Sequence, residues 1–279
     1  MTEGDSSISA ALLIERIARV LREGRTAILV TLIDAPKPQA AFISNKLLIE
    51  ENETQPGTLG DAELDASVAA QAATFHASCA EARSHLVREF APELEEWKTA
   101  RVMFERIEPE PRVIVCGAGH VGAALARLAH AIGYSVTLID DRAEFVGRER
   151  FREAGIELVA AESWERATRD AIGTGRGVAV AVVTRGHNED EACMRAVLRS
   201  RPDYVGMIGS KRRTNIVLER LREDGFEDAQ LRAVRAPVGL DIGAVSPEEV
   251  ALSILAEIVA VRRNGSGASL SAWRRVKSK

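Results

Sequence analysis

The chain has 279 residues, of which 46% are hydrophobic and 28% charged, and its formal net charge is −4. We expect such a composition to form a globular protein with one large domain or two ordinary ones. The near balance of 37 basic and 41 acidic residues gives neither nucleic acid nor an anionic membrane an overall attraction. No run of about 18 apolar residues occurs, so we expect no membrane-spanning helix.

The cysteines and the first residues indicate a cytoplasmic protein. Residues 1–7 are polar and acidic, unlike the basic and apolar start of a secretory signal. Cys79, Cys116 and Cys193 lie far apart, are odd in number and form no C-x-x-C pair. We therefore expect no disulfide framework and a reducing compartment.

The first 108 residues predict a smaller domain that mixes helices with strands. Leu13, Ile17 and Val20 recur at helical spacing, and Gly24 ends the run. Apolar and β-branched runs between turn residues indicate strands. The predicted strands cover residues 26–33, 42–49, 86–90 and 102–107, and a second predicted helix covers residues 61–78.

A Glu-Pro-Glu-Pro linker follows at residues 108–111. Its prolines favour extended backbone and its acids keep it solvated. We therefore predict an N-terminal α+β domain at residues 1–108 and a second domain at residues 109–265. Residues 266–279 overlap a Gly-Ser-Gly spacer and end in a basic stretch, which is typical of a flexible tail.

After the linker, short apolar strands alternate with helical stretches. Repeated βα units of this kind fold into a parallel sheet with helices on both faces. The sequence therefore predicts an α/β protein whose C-terminal part is a Rossmann-like, doubly wound parallel sheet. Its predicted strands cover residues 113–116, 135–140, 156–159, 178–184 and 204–208.

A glycine-rich turn follows the first of these strands. Residues 117–122 read G-A-G-H-V-G and open a helix, and the next strand ends in Asp140, about 20 residues further on, as in dinucleotide-binding folds. The first glycine permits the tight turn, the second leaves room for a pyrophosphate and the third lets the helix pack closely. Asp140 would accept a hydrogen bond from a ribose hydroxyl. The candidate cofactor-binding residues are Gly117, Gly119, His120, Val121, Gly122, Asp140 and Arg142.

Two alternatives stay open at this turn. The glycines are also compatible with a Rossmann fold that binds no ligand. His120 is unusual in such a loop: it could cap the helix, contact the ligand or simply lie on the surface.

Polar residues also follow the later strands, where doubly wound sheets bind ligands. Cations at residues 211–213 start a helix and oppose its dipole, so they favour an anionic ligand, although a solvated helix face would look similar. His187 and Asp190 form either part of a site or a capped helix start with exposed polar neighbours. Candidate binding residues here are Arg185, His187, Ser210 and Lys211, and candidate catalytic residues are His187, Asp190 and Asp241.

The last predicted helix has clear start signals. Ser246, Pro247 and Glu249 stand where a capping box and a first-turn proline belong, before the apolar run at residues 250–261. We therefore assign Ser246 and Glu249 structural roles.

Six motifs in order carry a resemblance to a known family. They are GAGHVG, IDDR, TRGHNED, YVGMIGSKRR, APVGLDIGA and SPEEVALSILAEIV, between Gly117 and Val259. They are similar to the XdhC/CoxI family, accessory proteins for xanthine dehydrogenase and related molybdenum hydroxylases. The resemblance implies a protein that binds molybdenum cofactor (molybdopterin), works with a cysteine desulfurase, delivers the cofactor to a molybdenum hydroxylase apoenzyme, and forms a homo-oligomer.

The N-terminal half resembles the family less closely. Residues 45–49 look like one of its strands and residues 57–63 like its Gly-Gly-Cys turn, but Asp61 and Ala62 stand at the cysteine position. If that thiol handles molybdenum or sulfur in the family, this chain cannot do so by the same route. Cys79, on the helix that follows, is expected to be an ordinary core thiol.

Two other functions compete with the accessory role. A nicotinamide-dependent oxidoreductase would bind NAD(P) at the glycine turn and Asp140, with His187 and Asp190, or Lys211, as acid and base. A nucleotide-sensing regulatory module is the other. Residues 1–108 offer no metal-ligand cluster and no acid/base set beyond His76 and His85, which favours an accessory protein over a turnover enzyme.

Overall fold

The computed structural model describes residues 9–50, 56–78 and 80–271. The chain divides into two compact units, Met1–Pro109 and Glu110–Lys279. Cys79 and residues 272–279 of the predicted tail lie outside the described residues.

The first unit is built on an antiparallel sheet. Its four strands are β1 (Ala27–Asp34), β2 (Lys46–Glu50), β3 (Ala82–Leu86) and β4 (Arg101–Ile107), in the order β2-β1-β4-β3. Two helices, α1 (Ala10–Arg22) and α2 (Ala62–Ala77), accompany the sheet. The smaller α+β part of the fold prediction is therefore confirmed.

The apolar face of α2 contributes to the core of this unit. Leu64, Val68, Ala72 and Phe75 recur every three to four residues, so they share one side of the helix, and all four are buried. Phe75 lies against Phe104 of β4, with ring centroids 5.6 Å apart. Full burial of a large apolar side chain contributes about 1.5–3 kcal/mol, so this face holds α2 in the hydrophobic core.

Asp61 begins α2. Its carboxylate accepts hydrogen bonds from the N–H groups of Glu63 and Leu64, each at 2.9 Å, which satisfies two donors that a helix start leaves open. Asp61, one of the two residues predicted to stand at the family's cysteine position, therefore caps a helix in this chain.

The strand predicted at residues 86–90 is wrong. The strand β3 ends at Leu86, and a 3₁₀ turn follows at Val87–Glu89. The Val87 carbonyl accepts hydrogen bonds from the N–H groups of both Phe90 and Ala91. Val87 and Phe90 are three residues apart, which is a helical spacing, whereas β3 itself is largely polar and gave no apolar signal. The strand predicted at residues 42–49 likewise starts only at Lys46.

The second unit contains a parallel sheet of five strands. They are β5 (Arg112–Cys116), β6 (Ser135–Asp140), β7 (Ile156–Ala160), β8 (Val178–Val182) and β9 (Tyr204–Met207), in the order β7-β6-β5-β8-β9. The helices are α3 (His120–Ala131), α4 (Trp164–Ile172), α5 (His187–Ser200), α6 (Lys211–Glu223), α7 (Asp228–Ala233) and α8 (Pro247–Arg262). The predicted Rossmann-like, doubly wound sheet is confirmed.

The helices cover both faces of this sheet. The helices α3 and α8 enclose one hydrophobic core with the sheet, and α4 to α7 enclose the other. Every residue of β8 is buried, as expected of a central parallel strand. Ser246 and Glu249 form the predicted capping box at the start of α8. Within the described residues, no helix has the length and apolar character needed to cross a membrane.

The strand order places a switch point between β5 and β8. The chain runs outward from β5 to β6 and β7, and then returns to place β8 on the other side of β5. In such sheets the loops at the carboxyl ends of the two central strands diverge and leave a crevice that binds ligands. The turn after β5 and the loop after β8 border this crevice.

Candidate functional site

Gly117 brings the two loops of the switch point into contact. Its φ of +113° lies in the region that favours glycine. A Cβ on Gly117 would lie 2.6 Å from the carbonyl oxygen of Val183 and 3.0 Å from the Cα of Thr184. No side chain fits there, so the glycine allows the turn after β5 to touch the loop after β8.

Gly122 and Gly119 have opposite surroundings. A Cβ on Gly122 would overlap the carbonyl oxygen of Gly117, so the first turn of α3 packs directly on the glycine turn. Gly119 is the N-cap of α3, and a Cβ there would meet no atom within 4 Å. Among the described residues, none accepts a hydrogen bond from the N–H of His120 or Val121. The start of α3 therefore offers open space beside free donors, the combination that binds phosphate.

His120 is the first residue of α3 and is exposed. The N-cap of α3 is Gly119 and not His120, and the glycine has no side chain with which to cap the helix. Of the roles left open by the sequence, contact with a ligand and a plain surface position remain.

Asp140, the predicted ribose contact, is hydrogen-bonded within the chain. Its carboxylate is 1% exposed and accepts hydrogen bonds from the Ala118 N–H at 2.7 Å and from the Arg142 Nε at 2.8 Å. Burial alone would raise its pKa, but the hydrogen bonds from Arg142 and Ala118 outweigh burial and hold the pKa below its usual range. The carboxylate therefore holds the glycine turn in place, and both of its buried oxygens already accept hydrogen bonds from within the chain.

Arg142 is tied to the same carboxylate and is partly exposed. Its Nη2 donates to the second oxygen of Asp140 at 3.0 Å. Its guanidinium carbon lies 3.5 Å from the ring centroid of Phe145. A flat cation–aromatic stack thus borders the end of β6.

An exposed ion pair joins the loops after β6 and β8. The Arg185 guanidinium donates to both oxygens of Asp141, at 3.2 and 2.9 Å. Its Nε also lies 3.6 Å from the Glu189 carboxylate. The sequence had marked Arg185 as a binding residue but had given Asp141 no role, although it follows a central strand directly.

Asp190 and Arg213 form an ion pair whose carboxylate is buried. The Asp190 carboxylate is fully buried and accepts from the Thr184 hydroxyl at 2.5 Å and from the Arg213 Nε at 2.8 Å. Burial raises the pKa of Asp190, and the hydrogen bonds from Thr184 and Arg213 oppose that shift. His187 is exposed, whereas the Asp190 carboxylate accepts hydrogen bonds from Thr184 and Arg213, so the acid/base role of this pair stays a prediction. Arg213 is likewise engaged within the chain and not free for an anion.

The remaining candidates lie at the same edge of the sheet. The Ser210 hydroxyl accepts from the Arg213 N–H at 3.3 Å and caps α6. Lys211 follows as the first residue of α6 and is exposed. Arg235 pairs in parallel with Gly206 of β9, and Asp241, further along the same segment, is exposed.

In the described ranges, no group of three or more His, Cys, Asp and Glu side chains could hold a metal ion. Cys116 and Cys193 are free thiols and are buried. Their positions in the core match the ordinary interpretation of such cysteines.

Comparison with known proteins identifies the second unit. The sequence model of the XdhC Rossmann domain family matches residues 113–258. The chain is 31% identical over 172 residues to a probable xanthine dehydrogenase component of Bacillus subtilis, covering 60% of this chain and 47% of that protein. It is 26% identical over 163 residues to the "Molybdenum cofactor insertion chaperone PaoD" of Escherichia coli, covering 56% and 50%.

Two further similarities add detail. The "Uncharacterized protein YqeB" of Escherichia coli is 32% identical over 157 residues, which cover 56% of this chain and 28% of that protein. The chain thus spans half or less of the length of these curated relatives. A crystal structure of a xanthine dehydrogenase from Bacillus halodurans aligns with 92% of this chain and 68% of that one, with a TM-score of 0.62 and 20% identity. That likeness supports the fold alone. Because the family model covers more than half of the sequence, this chain belongs to the XdhC family.

Proposed function

We propose that this protein is an accessory factor that binds molybdenum cofactor and delivers it to the apoenzyme of a xanthine dehydrogenase-type molybdenum hydroxylase. The observation that carries the proposal is the open space at Gly119 beside unpaired N–H groups, at the switch point of a sheet that belongs to the XdhC family. The names of the relatives from Bacillus subtilis and Escherichia coli point to the same role.

The site fits the phosphate-bearing end of the cofactor. Molybdopterin carries a phosphate, which suits the first turn of α3 and the exposed cations Arg185 and Lys211. The bound group would bring the molybdenum centre that the apoenzyme lacks. The two cysteines within the described part of the chain are both buried, so neither offers an exposed thiol to molybdenum or sulfur. The chain's own residues therefore bind and orient the phosphate.

The oxidoreductase alternative has less support. It needs Asp140 at the ribose and a working acid/base pair, whereas Asp140 is bonded to Ala118 and Arg142, and Asp190 to Arg213. A sensing module would use the same glycine turn, and recovery of a hydroxylase with the tagged protein would separate it from the accessory role. Homo-oligomerisation, a cysteine desulfurase partner and a cytoplasmic location stay predictions.

Deletion of the gene tests the proposal. We expect the hydroxylase polypeptide to be present but to have low activity and low molybdenum content. The defect should be partial, or shared with a second accessory protein that keeps the cysteine, because Asp61 cannot bind a soft metal. Full activity of every molybdenum hydroxylase in that strain would contradict the maturation role. Mass spectrometry of the small molecules released from the native protein should find a molybdopterin, and NAD(P) in its place would favour the oxidoreductase.

Replacing Lys211 with alanine should weaken binding of inorganic pyrophosphate about two- to fivefold, the range for one exposed charge contact. The loss should shrink at high salt, because salt screens exposed charges. Isothermal titration calorimetry at two salt concentrations measures both effects. Lys98→Ala, which removes the same charge from the first unit, is the control. An unchanged affinity at low salt would assign Lys211 to a solvated helix face.

A further inference from the structure

We propose that Asp141 acts as a counter-ion within the ligand site. Its carboxylate holds the Arg185 guanidinium until the phosphate of a ligand replaces the carboxylate. The exchange makes Asp141 a residue that sets affinity for phosphate-bearing ligands. The inference rests on the proposed function only in placing such a ligand at the switch point.

The position of the pair follows from the strand order. Asp141 comes directly after β6, Arg185 lies in the loop after β8, and β5 lies between these two strands. The Asp141–Arg185 pair therefore spans the carboxyl end of β5, where the glycine turn begins. Gly117 already touches the backbone at Val183 and Thr184, so the loop that carries Arg185 lies against that turn.

The geometry of the pair suits an exchange of anions. Arg185 donates through two nitrogens to the two oxygens of Asp141. A guanidinium presents the same fork to a phosphate, whose oxygens accept two parallel hydrogen bonds in the same way. A phosphate on the N–H groups of α3 could therefore take over the donors that Asp141 now holds.

Exposure shows which ion pair at this edge can open. The carboxylates of Asp140 and Asp190 are 1% and 0% exposed, so leaving either without its arginine would strand a buried charge. In the third pair, the side chains of Asp141 and Arg185 are 30% and 49% exposed, and the Arg142 Nε lies 3.9 Å from the Asp141 carboxylate. Water can solvate Asp141 after it separates, and an exposed pair of this kind contributes little. The Asp141–Arg185 pair can therefore exchange partners while the other two hold the loops in place.

Glu189 keeps Arg185 near the crevice after the exchange. Its carboxylate lies 3.6 Å from the Arg185 Nε, and a Cβ on Gly186 would collide with it. A doubly charged phosphate gains more from the guanidinium than a single carboxylate does, so the site should prefer phosphates.

The test is a double-mutant cycle on Asp141→Asn and Arg185→Gln, with inorganic pyrophosphate as the probe in calorimetry. Asp141→Asn alone should tighten binding about two- to fivefold, the range for release of an exposed pair. Arg185→Gln should weaken binding, and Asp141→Asn added to it should give no gain. Asp228→Asn is the control, because it frees Arg222 in the last turn of α6, the end remote from the site.

Three results would overturn the inference: no binding of pyrophosphate to the unmodified protein, no gain from Asp141→Asn, or an equal gain in the Arg185→Gln background. The last would show a long-range effect of charge. Thermal unfolding checks that the four proteins of the cycle and the Asp228→Asn control are folded. If the two substitutions are coupled but the native protein carries no molybdopterin, the proposed function alone is refuted. If they are not coupled and the native protein carries molybdopterin, the counter-ion role of Asp141 alone is refuted.

Discussion

Replacing Arg213 with alanine is expected to lower the free energy of unfolding by about 3 kcal/mol at neutral pH. The arginine is the charged partner of Asp190, whose side chain is fully buried. Its Nη2 also donates to the Thr184 carbonyl at 3.3 Å, so it ties α6 to the loop after β8. Without the arginine, the buried Asp190 carboxylate keeps only the hydrogen bond from the Thr184 hydroxyl. Urea unfolding followed by circular dichroism measures the change.

Two variants separate the buried charge from ordinary loss of packing. Asp190→Asn in the Arg213→Ala background should recover part of the stability, because it removes the stranded charge and keeps an acceptor for Thr184. Arg199→Ala removes an exposed arginine paired with Glu165 and should cost less than about 1 kcal/mol. Equal losses of unfolding free energy for Arg213→Ala and Arg199→Ala would show that the Asp190–Arg213 pair stabilises the protein no more than an exposed pair does.

The loss in Arg213→Ala should also depend on pH. Burial already raises the pKa of Asp190, and removal of the arginine raises it further. Between the unfolded and the folded pKa, the native protein then binds more protons than the unfolded chain, so stability falls as pH rises. The variant should therefore be less impaired at acidic pH than at alkaline pH.

Gly119→Asp should abolish pyrophosphate binding, at least about a hundredfold, while the protein stays folded. A Cβ at this position would meet no atom within 4 Å, and the φ of −65° suits any residue. Aspartate is a good N-cap, so it should raise stability by a few tenths of a kcal/mol. The same carboxylate would occupy the N–H groups that a phosphate needs and repel its charge. Calorimetry and thermal unfolding measure the two effects.

Gly119→Asn is the matched variant for this test. It caps the helix as aspartate does but carries no charge, so it should weaken binding less. Gly147→Asp places the same charge at another glycine with open space, in the connection after β6, and controls for the charge alone. Normal pyrophosphate binding by Gly119→Asp would show that the phosphate site lies elsewhere.

The second unit could be predicted because its strands carry an unambiguous pattern. Residues such as Val178–Val182 form a continuous apolar run, which only a strand covered on both faces explains in this context. In the first unit, β3 has the sequence Ala-Arg-Ser-His-Leu and is partly exposed, so it shows no apolar pattern that would predict a strand. The strand was therefore placed on the apolar residues that follow it.

The location of the site was predictable, but the pairing of its charges was not. The glycines and the ends of the strands indicated the edge of the sheet. Asp140 and Asp141 are identical neighbours, and only the sheet determines that the first is buried beneath the glycine turn and the second faces Arg185. Arg213 and Asp190 belong to different helices, so no local pattern could show that they meet.

The contact between Gly117 and the loop after β8 links ligand binding to the folding of the sheet. The strands β5 and β8 pair from Arg112 with Val178 to Cys116 with Val182, across a long stretch of intervening chain that contains α3, β6, β7 and α4. The entropy of closing this long loop makes the pairing a late, non-local event in folding. During synthesis, the chain therefore cannot form the crevice before β8 has been translated. A ligand that touches both loops would add its binding free energy to the closed pair, so under the proposed function the cofactor would stabilise the pairing of the two halves of the sheet.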